Sequence, residues 1–102
     1  MKLYQNIPRQ EVAWIVQLRT AHCRLNKYLH QFGHTETATC ECGDSNETVT
    51  HYLRSCTRFE KEREKLRKEV GIGGMKVEML LGYPKLIKPT LKYIRATKRF
   101  TF

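Results

Sequence analysis

Aspartate occurs once in these 102 residues, at Asp44. That scarcity leaves no paired-aspartate motif of the kind that holds two metal ions for phosphoryl transfer. Long apolar runs are missing too: no stretch approaches the roughly 20 apolar residues that cross a bilayer. No apolar run follows the N-terminal MKLYQNIPRQ, which argues against a secretory leader. Without a leader, four cysteines point to metal ligation or free thiols rather than to disulfides. These absences predict an intracellular protein, nuclear or cytoplasmic and not secreted, with no membrane partner. Internal repeats, low-complexity runs and convincing strands are also lacking.

Positive charge is abundant and unevenly placed. The net charge is +9. Residues 36–56 carry four acidic side chains and one basic, whereas residues 79–102 carry six basic and none acidic. A basic chain with an acidic middle favours polyanionic partners, nucleic acid foremost. At this length one domain is expected, spanning 1–102, and its core is small enough to need support.

Hydrophobic periodicity predicts a mainly α fold of four to five helices. Val12, Ile15, Val16, Leu18, Leu25, Tyr28, Leu29 and Phe32 recur at helical spacing, so one helix is expected from about Arg9 to Phe32, opened by Pro8 and stopped by Gly33. Asp44 and Glu47 have the spacing of a capping box before a short helix that carries Val49, Tyr52, Leu53 and Cys56 on one face. Thr57 and Glu60 repeat that spacing before a helix to about Val70. There the run from Glu60 to Lys65 reads as a solvated, ion-paired surface. Glycines 71, 73 and 74 make a loop, Met75–Leu81 forms a short helix before Gly82, and Leu91, Tyr93 and Ile94 anchor a last helix beyond Pro84 and Pro89.

One spacing carries chemistry. Cys40 and Cys42 flank a single residue, His51 follows after eight more, and Cys56 after another four. Three thiols and an imidazole within 17 positions suit one zinc ion in a closed tetrahedron, with a short turn at the first two cysteines. Four protein donors leave no position for water, so the site reads as structural and the knuckle as spanning 38–57. There is a geometric objection: five residues of ideal helix rotate by about 140°, so His51 and Cys56 would not share a face unless the helix loosens at its last turn. Cys23 reads as a buried thiol, His22 as a packed or surface side chain, and His30 and His34 as weaker candidate ligands.

The run Leu18-Arg19-Thr20-Ala21-His22-Cys23-Arg24-Leu25-Asn26-Lys27-Tyr28-Leu29, together with Cys40-Glu41-Cys42-Gly43, Glu47-Thr48-Val49, His51-Tyr52-Leu53 and Cys56, resembles the C-terminal CCHC zinc-binding module of fungal LINE-type (non-LTR) retrotransposon reverse transcriptases, which follows their ribonuclease H region. The stretch from Leu81-Gly82-Tyr83-Pro84 through Ile87-Lys88-Pro89-Thr90 to Phe100 is similar to the end of such reading frames. The family carries Gly where this chain has Ala21, and often Pro where it has Thr57. The resemblance implies one structural Zn2+ and an accessory role in holding RNA or DNA, beside the polymerase and ribonuclease H domains of a parent polyprotein. It implies no catalytic residue and no small-molecule substrate in this chain. The basic side chains expected to meet phosphates are Arg19, Arg24 and Lys27 on the first helix, and Lys92, Arg95, Lys98 and Arg99 in the basic tail, residues 84–102. The competing reading is a protein-interaction module that docks on an upstream domain.

Overall fold

The structure, a computed structural model, describes residues 6–21 and 23–100. Helix α1 (Arg9–Thr20) starts behind Pro8, whose carbonyl accepts from the amides of Glu11 and Val12. It buries Trp14, Ile15 and Leu18. The helix does not run on to Phe32. It ends at Ala21, which takes the left-handed conformation (φ 61°, ψ 19°), and α2 (Asn26–Gln31) begins after a bend. Tertiary contacts override the helical period here. The break buries Cys23 and Leu25, and it frees the amides of Asn26 and Lys27 to meet the side chain and carbonyl of Glu47.

A narrow loop follows. Thr39 and Asn46 pair as an isolated antiparallel bridge, the Cys40 amide donates to Ser45, and the Glu47 amide donates to Ala38. The tip turns at Gly43, whose φ of 85° is costly for any side-chain-bearing residue. The expected Asp44–Glu47 capping box does not form, because Glu47 turns inward. Thr48 acts instead: its hydroxyl accepts from the His51 amide.

From His51 to Ser55 the helix widens into a π-turn, closed by a bond from the Cys56 amide to the His51 carbonyl at 2.8 Å. A single 3₁₀ turn (Thr57–Phe59) leads into α3 (Glu60–Val70), another (Ile72–Gly74) separates it from α4 (Val77–Gly82), and α5 (Pro84–Thr97) follows. The loop tip is tight at Gly74, where a Cβ would sit 2.9 Å from that of Val70. No helix among the described residues is long and apolar enough to cross a membrane.

Two further sequence expectations need correction. The run from Glu60 to Lys65 is not all solvated, because Arg63 is buried. Its guanidinium donates to the carbonyls of Cys56 (2.7 Å) and Leu53 (3.3 Å) and lies near Tyr52 and the Tyr93 hydroxyl. Both carbonyls lie where the π-turn gives way to the 3₁₀ turn; that of Cys56 also accepts the Phe59 amide at 3.3 Å, and the buried carbonyls draw a charged donor inward. The last helix is also longer than expected. It begins at Pro84, the position proline suits best, and continues through Pro89. An internal proline costs about 3 kcal/mol. Burying Ile87, Leu91 and Ile94 on one face contributes about 1.5–3 kcal/mol each, which outweighs it.

Helix α5 packs on α3 and α4, and α4 also meets α1. At the centre lies Tyr52, fully buried, with ring contacts to Phe59, Tyr93 and Phe100 and its hydroxyl 2.6 Å from that of Thr97. The basic tail is thus part of the core on its inner side. A left-handed alanine costs about 1–2 kcal/mol, and glycine gives back about 0.4–1 kcal/mol in unfolded-state entropy. Ala21→Gly should therefore raise stability by about 0.5–1 kcal/mol, read from the urea midpoint at unchanged slope.

Candidate metal centre

The loop at 38–47 and the π-turn converge on one point. Loop residues Cys40 and Cys42 face His51 and Cys56, and their donor atoms all lie within 4.8 Å of one another. The Cys40 and Cys56 sulfurs are 3.6 Å apart, and the Cys42 sulfur is 3.3 Å from His51 Nε2. All four cysteines are free thiols. Metal–sulfur bonds of about 2.3 Å and metal–nitrogen bonds of about 2.0 Å give tetrahedral edges of about 3.8 Å between sulfurs and about 3.5 Å between sulfur and nitrogen. The two donor pairs at 3.6 and 3.3 Å are close to those edges, and the four atoms lie near enough together to hold one ion. The objection about helical rotation is answered by the π-turn: one more residue in the turn brings positions five apart back toward the same side.

The surroundings prepare each donor. The Ser45 hydroxyl lies 3.0 Å from His51 Nδ1, which engages that nitrogen and leaves Nε2 for a metal. Burial lowers the His51 pKa, keeping the ring in its neutral, ligating form. Burial pushes the Cys40 thiol up to about 11, whereas the Asp44 amide holds Cys42 below its ordinary value. Arg58 spans the two buried sulfurs, with Nη2 3.2 Å from Cys40 Sγ and Nε 3.4 Å from Cys56 Sγ. A divalent ion with three thiolates carries one net negative charge, and the Arg58 guanidinium offsets it.

Behind Arg58 lies Glu47, which the sequence places at a helix cap and within the Glu47-Thr48-Val49 run. Glu47 is 1% exposed, and each carboxylate oxygen accepts twice. Oε1 receives the Asn26 amide at 2.7 Å and Arg99 Nη2 at 2.6 Å; Oε2 receives Arg58 at 2.7 Å and Arg99 Nε at 2.9 Å. Burial on its own would raise the Glu47 pKa, but these donors outweigh it and leave the carboxyl below its usual value. The Glu47–Thr48–Val49 run was visible in the sequence, but nothing in it distinguishes a buried carboxylate from an exposed one.

The expected phosphate-facing residues do not gather on one surface. Arg19 and Arg24 are exposed on and just after α1, and Lys27 is half-buried on α2. Lys92 and Arg95 are exposed on α5 and pair with Glu69 and Glu11. Lys98 is exposed at its end, whereas Arg99 turns inward to Glu47 and the Arg24 carbonyl. Lys85 and Lys88, also in the basic tail, share the Lys92–Arg95 side of α5 at spacings of three, four and three. Tyr52 and Tyr93 are buried and so are unavailable for base stacking. His30 and His34 lie outside the donor cluster and are exposed; His22 lies outside the described residues.

No family model and no solved structure matches the chain. It is similar to the Retrovirus-related Pol polyprotein from type-1 retrotransposable element R1 2 of Nasonia vitripennis, at 42% identity over 50 residues, which are 49% of this chain and 12% of that polyprotein. A second relative is the Retrovirus-related Pol polyprotein from type-1 retrotransposable element R1 of Bradysia coprophila, at 40% identity over 45 residues, 44% of this chain and 4% of the polyprotein. The resemblance to non-LTR retrotransposon polyproteins is borne out at that level. Neither relative bears on its fungal branch or on a position after a ribonuclease H region. The matched stretch is a small fraction of each relative's length.

The Glu47 network predicts a pH dependence. A depressed carboxylate pKa contributes stability above its ordinary value of about 4.3, and that contribution is lost as pH falls through the folded value. Glu47→Gln should cost about 3 kcal/mol at pH 7, the low end for breaking a buried pair because both guanidiniums reach partly into water. The stability difference between the two proteins, measured by urea unfolding across pH, should shrink toward zero well below pH 4.

Proposed function

We propose that this chain is a zinc-bearing, nucleic-acid-binding module of a non-LTR retrotransposon Pol polyprotein, and that it holds template or target strands beside the parent's polymerase and ribonuclease H domains. The observation that carries the reading is the closed set of three sulfurs and one imidazole nitrogen in a chain similar to R1 polyproteins. Thiolate and imidazole donors in a tetrahedron suit zinc, and four protein donors leave it a structural role. The ion would cross-link the 38–47 loop to the π-turn, a contribution on the order of 10 kcal/mol for small zinc modules. The exposed side of α5, with Lys85, Lys88, Lys92 and Arg95, offers positive charge along about 15 Å of helix. That is enough for a few phosphates.

A cleft of about 440 Å³ supports a second reading, docking on another part of the polyprotein. Its walls include Leu18, Tyr28, Val49, Val77 and Leu81, with Arg19 and Glu78 beside them, and Val16 on α1 is exposed as well. The two readings diverge in salt. Phosphate contacts make log affinity fall with log salt, by about 0.7 to 0.9 per contact. Three or four such contacts therefore predict a slope of about −2 to −4 for a short oligonucleotide, and Lys88→Glu with Lys92→Glu should reduce that slope by about 2. Affinity that ignores salt would refute phosphate binding and favour docking. Independently, metal analysis should find one zinc per chain, and chelation should abolish much of the helical circular dichroism; a zinc-free chain with full helicity would sink the metal assignment.

A further inference from the structure

We propose that Glu47 is the positioning residue of the metal centre, holding Arg58 against two of its sulfurs, and that Arg99 at the end of α5 sets the affinity of a site it does not touch. The inference rests on the metal reading above and extends it to regulation of that site. Its basis is a line of alternating charge. The thiolate cluster meets Arg58, Arg58 meets Glu47, and Glu47 meets Arg99 through two parallel bonds at 2.6 and 2.9 Å. No link is loosely held. Arg58 also lies over the Phe59 ring, 4.7 Å from its centroid, and reaches Glu41 at 3.2 Å, which fixes its plane. Glu47 is anchored by its own amide and carbonyl to Ala38 and Lys27. Arg99 is tied to the Arg24 carbonyl at 2.8 Å, and its neighbour Phe100 packs on Tyr52.

Each guanidinium is placed by the same carboxylate. Removing Arg99 leaves Glu47 with only the Asn26 amide and Arg58 as partners of its side chain, so the carboxylate can tilt and its hold on the aim of Arg58 at Cys40 and Cys56 loosens. Removing Arg58 deletes the same effect directly. Arg99 therefore acts on the metal only through Arg58, and its loss is silent once Arg58 is gone. Affinity is reciprocal, so ion binding also tightens the end of α5 on the core.

The test uses the full chain loaded with Co2+, whose sulfur-to-metal absorption reports the thiolates and whose affinity is read by competition with a chelator. Outer-shell changes weaken metal binding by about tenfold or more. Arg58→Gln and Arg99→Gln should each do so, and Arg99→Gln should shift the sulfur-to-cobalt band. The double variant should stay within about threefold of the weaker single variant, where independent effects would multiply to about a hundredfold. Ile87→Val, a core truncation away from the network, controls for general loosening: combined with Arg58→Gln, its effect should multiply. Losses that multiply for Arg58→Gln and Arg99→Gln, or a band unmoved by Arg99→Gln, overturn the proposal. A wild-type chain that develops no cobalt–thiolate band overturns the metal reading itself.

Discussion

The bond from the Cys56 amide to the His51 carbonyl, five residues back, is what the rest of the arrangement depends on. A regular helical turn would point the imidazole and the last thiol apart. The wider turn brings them together, and the consequences spread outward from there. Buried Arg63 donates to the carbonyls of Leu53 and Cys56 at this turn, while the Tyr93 hydroxyl donates to that of Tyr52. Arg63 comes from α3, so these bonds tie α3 to the π-turn. Tyr52, on the same turn, becomes the centre around which Phe59, Tyr93 and Phe100 close.

Buried charge plays an unusual part for so small a molecule. Glu47, Arg58, Arg63 and Arg99 all reach into the interior, and each is satisfied. A buried ion pair is a weak source of net stability, because desolvation of both partners offsets their attraction. Here the pairs join parts of the chain distant in sequence: the α1–α2 break, the loop tip, the start of α3 and the end of α5. Apolar side chains could fill the same volume without specifying which segment meets which.

The metal reading and the nucleic-acid reading stand on different footings. The first needs only the positions of four donor atoms and the chemistry of thiolate and imidazole. The second needs a continuous positive surface, and the residues expected to form it divide among separate places. Arg99 works inside the molecule, Lys92 and Arg95 pair with carboxylates, and the α5 side gains Lys85 and Lys88. Sequence spacing identifies ligands more readily than it identifies a surface, because ligands must converge whereas surface charges need only be somewhere outside.

The sequence by itself determined the mainly helical class, the four donors, the break after Ser55 and the apolar face of the last helix. Each follows from local spacing or from residue chemistry, which a linear pattern records. Only the tertiary structure decided where α1 stops, that Arg63 lies inside, that α5 continues through Pro89, and that Glu47 serves as a hub rather than a cap. In each case a local preference was outweighed by a partner distant in sequence. Ala21 takes a left-handed turn because Glu47 awaits the amide of Asn26. Arg63 leaves water because the carbonyls of Leu53 and Cys56 face it inside the fold. Such decisions depend on what comes to lie opposite a residue after folding, and spacing along the chain does not carry that information.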